Sequence, residues 1–434
     1  MSLPRYPQYK DSGIAWLGHV PSHWQVRRLG FYFEERREKV SDKDYPALSV
    51  TKAGVVPQLE TAAKTDDGDN RKKVCTGDFV INSRSDRKGS AGASCLEGSV
   101  SLINTVLRPT GHVDIGFAHY LLRSVPFQEE FYRYGKGIVA DLWSTNYSEM
   151  RNILLTLPNS DEQASIVAFL DRETGKIDAL VAEQEKLLAL LAEKRQATIS
   201  HAVTRGLNPD VPMKDSGVAW LGEVPAHWCI GALGYLCSIE TGATPDRGNP
   251  SYWNGSIPWL KTGEINWTPI SKAEEFISED GLANSAAKLA KPGTLLMAMY
   301  GQGVTRGRVA LLEIEAAYNQ ACAAMSFGPR VLPGFARFFF MAAYDYVRDG
   351  GNETSQMNLS AGLIAKFKLS IPPVDEQTDI VSWLDSEVSK LDSLNTEAER
   401  AINLLKERRS ALITAAVTGK IDVRNTVLPQ ELVA

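Results

Sequence analysis

Two kinds of hydrophobic pattern alternate along this chain. From Gln25 to Leu157, and again from Cys229 to Ile371, short apolar runs are separated by turn residues, the pattern of strands mixed with short helices. After Pro158 and after Pro372 the period becomes helical. Leu170, Ile177, Gln184, Leu191 and Thr198 recur every seven residues beside Ile166, Leu180 and Leu187, and Leu384, Leu391, Ala398, Leu405 and Leu412 form the equivalent row later, with Leu394 beside it. Sevenfold spacing held over several heptads makes a seam for a partner helix. The residues expected to pair are Leu170, Ile177, Leu180, Leu187 and Leu191 with Leu384, Leu391, Leu394, Leu405 and Leu412. Asp161 and Asp375 occupy the expected N-cap positions, and Glu162 and Glu376 follow at the positive end of each helix dipole. Gly175 is expected to restart the first long helix at Lys176, and Gly206 and Gly419 to stop the two helices. Antiparallel pairing is favoured, because it relates the halves by a pseudo-two-fold axis and holds the two variable parts at opposite ends.

The alternation reflects an internal repeat. KDSGIAWLGHVPSHW (Lys10–Trp24) returns as KDSGVAWLGEVPAHW (Lys214–Trp228), differing only at Ile14/Val218, His19/Glu223 and Ser22/Ala226. The stretch beginning PNSDEQ at Pro158 returns as PPVDEQ at Pro372, and LLAEKRQATISHAVT (Leu190–Thr204) returns as LLKERRSALITAAVT (Leu404–Thr418). Each half is thus a shared opening, a divergent stretch and a shared helix. Gln25–Leu157 and Cys229–Ile371 show no evident alignment with each other. Repetition ahead of two unlike stretches makes His23 and His227 structural residues, and makes the opening segment a hinge with large apolar anchors at Trp16/Trp220 and Trp24/Trp228.

Composition narrows the class. A chain of 434 residues calls for two or three domains, and 44% apolar with 23% charged residues is ordinary for a globular protein. No apolar run approaches the ~20 residues that span a bilayer, and the first residues lack the apolar core of a signal peptide. Five scattered cysteines without a CxxC pair argue for a reducing cytoplasm and against a zinc site. A net charge of -5 counts against a simple nucleic-acid binder acting alone.

Candidate chemistry lies in the divergent stretches. Val74–Ser85 and Ser99–Pro109 are expected as strands flanking a polar loop with Ser83, Arg84, Arg87 and Lys88. Gly293–Glu315 is expected as strand, glycine-rich turn and strand, presenting Tyr300, Gln302, Thr305, Arg306 and Arg308. Arg and Gln pair bidentately with guanine and adenine edges, and hydroxyls suit phosphates. A third pair of polar segments precedes the helices, with Ser144, Thr145 and Asn146 in one copy and Ser355, Gln356 and Asn358 in the other. The aromatic-rich stretch Thr244–Trp267 adds Thr244 and Arg247, although most of its tryptophans are expected in the core. Enzyme signatures are wanting. NPSYW at Asn249 has Ser251 where adenine-N6 methyltransferases carry a second proline, no Walker A sequence is present, and no glutamate has a lysine two residues on.

Taken together, the doubled opening K-D-S-G-x-A-W-L-G-x-V-P-x-H-W, the doubled DEQ segment and the doubled E-[KR]-R…AVT helix end resemble the specificity subunits of type I restriction–modification systems. The resemblance implies an α+β fold in which two target recognition domains are separated by two long helices forming an antiparallel coiled coil. On this view residues 1–158 and 207–372 are the recognition domains with their opening segments. Residues 159–206 and 373–425 are the helical spacers, and 426–434 are a tail. The resemblance further implies a non-catalytic chain that reads an asymmetric, two-part site in double-stranded DNA. It would join two modification subunits and, through them, restriction subunits, and would have no membrane association. No cofactor is expected on this chain, and no metal; S-adenosylmethionine, ATP and Mg are expected in the partner subunits. A protein–protein scaffold with peptide-binding variable domains, and a self-contained methyltransferase or nuclease, are the alternatives.

Overall fold

The computed structural model describes residues 3–60, 68–137, 143–301, 304–349 and 359–425. The chain forms two compact units, one of Met1–Glu185 with Arg400–Ala434, the other of Lys186–Glu399. The long helices run Ser160–Arg205 and Val374–Val417. Each unit therefore takes half of each helix.

Several helix details differ from the sequence expectation. Gly175 does not interrupt the first helix: it is exposed, and one glycine in a long helix costs only about 1 kcal/mol. Asn159, not Asp161, caps it, its Oδ1 accepting from the Glu162 amide at 2.9 Å. Asp375 likewise lies inside the first turn of the second helix, which ends at Val417, just ahead of Gly419 as expected. Leu180, Leu187 and Leu394 are 52%, 40% and 48% exposed and do not belong to the seam. An inward stripe alternates steps of four and three from Leu170, giving Thr174, Ile177 and Val181. Leu180 and Leu187 sit one position off that stripe, and Leu394 one position off the matching stripe Leu384, Val388, Leu391 and Asn395 in the second helix.

Within each unit the helix halves run antiparallel. In unit one Arg409 pairs with Asp178 at 2.8 Å and Lys406 with Glu185 at 3.8 Å, so one helix number falls as the other rises. Ile166 and Leu170 share a core there with Ala416 and Val417. In unit two Arg195 pairs with Asp392 at 3.1 Å, and Ile199, Ala202 and Val203 share a core with Ile380, Leu384 and Val388. Leu391 is buried in unit two, whereas Leu405 and Leu412 are half-buried in unit one.

Each unit also holds a four-stranded antiparallel sheet. In unit one the order is Ala91–Ala93, Phe79–Asn82, Asn104–Pro109, Phe33–Glu35; in unit two it is Val309–Leu311, Leu295–Ala298, Cys322–Phe327, Cys237–Thr241. These sheets match strand for strand. The units differ in what is inserted. Unit one adds a three-stranded sheet and the hairpin Leu48–Thr51/Gly54–Pro57, while unit two adds a four-stranded sheet containing a parallel pair, Trp253–Leu260 with Ala316–Tyr318.

The divergent stretches are therefore less divergent than the sequence suggested. Gln25–Arg28 pairs with Leu154–Leu157, and Cys229–Ala232 with Lys368–Ile371. The doublets Leu29-Gly30 and Leu233-Gly234 follow. The Leu29 amide donates to Ile153 O at 2.7 Å, and the Leu233 amide to Phe367 O at 2.8 Å. The repeated frame extends well past Trp24 and Trp228.

Candidate nucleic-acid interface

The opening segments build a clamp at each helix start. In unit one Lys10 Nζ donates to Trp24 O at 2.5 Å, Trp24 Nε1 donates to Glu162 at 3.0 Å, and His23 Nε2 lies 2.7 Å from Glu162 Oε2. In unit two Lys214 donates to Trp228 O at 2.6 Å, Trp228 Nε1 donates to Glu376 at 3.1 Å, and His227 Nε2 lies 2.9 Å from Glu376 Oε2. Both tryptophans are fully buried. The histidines thus serve the frame. The end of the opposite long helix closes each clamp. Gly419 (φ 70°) abuts Pro21 and Trp24, and Gly206 (φ 75°) lies against Trp228 and Glu376. Only a residue without Cβ fits the left-handed turn and the close approach together.

The glutamine of DEQ attaches a helix of each unit to this clamp. Gln163 Oε1 accepts from the Asp114 amide at 2.7 Å, at the start of helix Ile115–Leu121. Gln377 Oε1 accepts from the Leu332 amide at 2.8 Å, at the start of helix Pro333–Ala342. Both amides are buried and fully engaged, since Gln163 Nε2 also donates to Pro158 O and Gln377 Nε2 to Pro372 O. The two helices begin alike, Gly116-Phe117-Ala118 and Gly334-Phe335-Ala336, and each phenylalanine meets its tryptophan edge to face at 6.4 and 6.5 Å. These residues were missed in the sequence. The shared G-F-A was the available signal, too short to stand out alone.

The sheet strands Phe79–Asn82 and Leu295–Ala298 each run into the polar loop expected to carry function. The Thr145 amide donates to Ser83 O at 3.0 Å, and the Leu359 amide to Met299 O at 3.1 Å. So each unit joins its loop after this strand to the segment just before the long helix.

In unit one, Ser83, Arg84, Ser144 and Asn146 line one cleft of about 370 Å³ together with Arg37 and Lys72. Glu35 lies among them, 2.8 Å from Arg37 and 3.2 Å from Lys72. The lining thus carries three cations and one carboxylate. Tyr147, another lining residue, donates to Phe33 O at 2.7 Å, and burial pushes its phenol pKa up. Three candidates do not join the cleft. Thr145 is buried, its Oγ1 donating to Phe131 O at 2.9 Å, because it stitches the segment to its neighbour helix. Arg87 is exposed beside Asp86, and Lys88 pairs with Glu129 at 2.5 Å over the Tyr132 ring.

In unit two Tyr300, Thr305, Arg306 and Arg308 sit on the turn between Leu295–Ala298 and Val309–Leu311, which packs through Gly307 against Val347. The Nε of Arg308 is buried without a hydrogen-bond acceptor among the described residues. Thr244 Oγ1 lies 2.5 Å from Gln320 Oε1. Arg247 is spent structurally: it stacks 3.8 Å from the Trp253 ring, 5.0 Å from Trp259, and pairs with Glu275 at 2.7 Å. Of the three tryptophans in that stretch only Trp259 is fully buried; Trp253 and Trp267 are half-buried, the first under the Arg247 guanidinium and the second edge to face with the Tyr344 ring. Gln302, Ser355, Gln356 and Asn358 lie outside the described residues. In NPSYW, Asn249 Oδ1 accepts from the Ser251 amide and hydroxyl at 3.1 and 2.8 Å, a local turn that occupies the side chain. Among the described residues no cluster of metal-ligating groups occurs, and no helix is long and apolar enough to cross a membrane.

Comparison with known proteins agrees with this geometry. The specificity subunit of the Escherichia coli type I restriction enzyme EcoR124I/EcoR124II is 22% identical over 67% of this chain and 68% of its own length. A Methanocaldococcus jannaschii protein provisionally named the MjaX type I restriction enzyme specificity subunit is 20% identical over 94% of this chain and 96% of its own. In fold, the chain is similar to a structure described under complex assembly and conformational transition of the type I R-M system, with a TM-score of 0.73 and 15% identity over 92% of this chain and 98% of that one. It is also similar to the HsdS subunit of Thermoanaerobacter tengcongensis, with a TM-score of 0.55 and 16% identity over 92% and 98%. Residues 225–404 match the type I restriction modification DNA specificity domain, and the chain is similar in sequence to type I restriction enzyme specificity subunits and in fold to the HsdS subunit.

Proposed function

We propose that this chain is the non-catalytic, DNA-reading subunit of a type I restriction–modification complex, at work in the cytoplasm. Each recognition domain reads one half of an asymmetric two-part site in double-stranded DNA. The long helices set the gap and dock two modification subunits, to which restriction subunits add; S-adenosylmethionine, ATP and Mg are used by those partners. The observation that carries this reading is one frame built twice around two sheets of equal strand order, each ending in a different polar loop at the same place. Equal frames place two readers alike, and unlike loops give them different half-sites. The cation-rich cleft around Arg84 supports the polyanion. The net charge of -5 is consistent with partners supplying part of the phosphate contact.

The test is a titration of the reconstituted complex against duplex DNA at several salt concentrations. Steep salt dependence with sequence preference is expected. Binding without either supports a protein scaffold instead, and methyl transfer by the isolated chain overturns the non-catalytic role. Exchange of Gln25–Leu157 for the corresponding segment of another specificity subunit should change one half-site and spare the other.

A further inference from the structure

We propose that in unit one Leu102 and Ile103 touch the 5-methyl group of a thymine in the major groove. This rests on the DNA-reading function proposed above and names the chemical group that one reader selects.

Leu102 and Ile103 occupy the turn between Gly98–Val100 and Asn104–Pro109. Turns favour Gly, Asn, Asp, Ser and Pro, and nothing in this turn's backbone requires two adjacent aliphatic residues. Their side chains are 43% and 39% exposed, so the core does not explain them either. The turn is nonetheless firmly held. The Asn104 amide donates to Ser101 O at 3.0 Å, Asn104 Nδ2 lies 3.0 Å from Ser101 Oγ, and the Ser83 amide donates to Ile103 O at 3.1 Å. A short, anchored turn presents a fixed apolar surface and suits contact with a groove edge. A wedge forced between base steps would need to project further.

The surroundings select the occupant. Both residues line the cleft that also holds Arg37, Lys72, Arg84 and Asn146. Three cations face the single carboxylate of Glu35, which pairs with Arg37 and Lys72, so the cleft keeps a net positive charge around its apolar patch; that suits a polyanion with apolar groups on its edges, and a protein partner's apolar face would leave the charge unanswered. In the major groove a T·A pair shows the thymine methyl beside the adenine N7 and N6, and Asn pairs bidentately with the latter two. Leu102, Ile103 and Asn146 together offer the matching set. Unit two differs at the same place. Its turn before Cys322–Phe327 is closed by the Cys322 amide donating to Asn319 O at 3.1 Å, but it carries Gln320 and Ala321, with Gln320 held by Thr244. An amide stands there where unit one has Leu102, so the methyl contact belongs to one reader.

The experiment uses the reconstituted complex and the sequence it methylates. Each thymine of both half-sites and their complements is replaced singly by uracil, which removes only the methyl group, and binding is measured. One position in the half-site read by unit one is expected to lose about four-fold, the value of one buried methyl. Leu102→Ala with Ile103→Ala should abolish that sensitivity and leave the other half-site's profile unchanged. A sequence-selective wild-type complex with no uracil-sensitive position in that half-site overturns the proposal, as does an unchanged profile in the double variant. A wild-type complex without sequence preference overturns the DNA-reading function itself. The uracil scan needs no variant, so a folding defect cannot obscure the result.

Discussion

The two clamps carry the same residues but not the same burial. Glu162 is 3% exposed in unit one, whereas Glu376 is 28% exposed in unit two. The cause lies outside the repeat. Tyr6 covers the first clamp, 5.7 Å from the His23 ring and 6.2 Å from the Trp24 ring, and Arg424 lies 5.0 Å over Tyr6 while pairing with Asp422 at 2.7 Å. Burial and the neighbouring Glu162 charge push the Tyr6 phenol up, and Arg424 holds the Asp422 carboxyl below its usual range. Four residues before Lys214, where the first copy has Tyr6, the second has an exposed aspartate, Asp210. A motif thus specifies which groups meet, and its non-repeated neighbours decide how strongly each contact counts. A buried carboxylate without its partners is costly, and a half-exposed one turns to water.

Four measurements sharpen or break this comparison. The largest effect is expected from Trp24→Ala and Trp228→Ala, each costing its own unit about 3–5 kcal/mol in chemical denaturation followed by hydrogen exchange. The first should cost more, because it also uncovers Tyr6. A larger loss from Trp228→Ala would remove the claim that unit one is better covered. Next, Gly419→Ala should cost more than Gly206→Ala, roughly 2–4 against 1–2 kcal/mol. The added Cβ meets the rigid Pro21 ring in the first case, and atoms at 3.1–3.2 Å in the second. Equal losses would mean that backbone strain alone decides. Third, Glu162→Gln is expected to destabilise by about 1–3 kcal/mol and Glu376→Gln by less than about 1 kcal/mol.

The fourth measurement is pH dependence. His119 in unit one accepts at Nδ1 from the Ala93 amide at 3.3 Å, and burial with nearby Arg123 lowers its pKa from 6.5 to about 4. Below pH 6.5 the unfolded chain takes up a proton that the folded unit refuses until about pH 4. Stability contributed by neutral His119 is thus full above the upper value and falls through that window, by on the order of 3 kcal/mol. Arg337 follows G-F-A at the same place in unit two, so that unit lacks this dependence. Denaturation at stepped pH with and without His119→Asn separates the contributions; an identical slope in the variant would assign the loss to other groups.

The sequence made the frame legible and left the contacts obscure, for identifiable reasons. The heptad row through Leu170 and Ile177 was visible because every seventh residue returns to one face. The companion row was misassigned because Leu180, Leu187 and Leu394 are apolar yet exposed, and only packing distinguishes them from Thr174 and Val181. The chemistry of DEQ was hidden because its partners, Trp24 and the Asp114 amide, lie far away in sequence. Ser83, Arg84, Ser144 and Asn146 were found by residue type, and the same criterion selected Arg247, which stacking and Glu275 commit elsewhere. Residue type cannot tell a guanidinium offered to a ligand from one already held.

The division of the chain into units has a consequence for synthesis. Unit two is one unbroken stretch, Lys186–Glu399, whereas unit one needs both Met1–Glu185 and the residues from Arg400 onward. The unit translated first is therefore completed last. At ~5–20 residues per second, the surface around Trp24 waits tens of seconds for Gly419 and Asp422, whose amide bonds Pro4 O at 2.8 Å. A ribosome that stops between the two units' last residues releases a finished second unit and an open first one, its apolar clamp around Trp24 left bare to solvent.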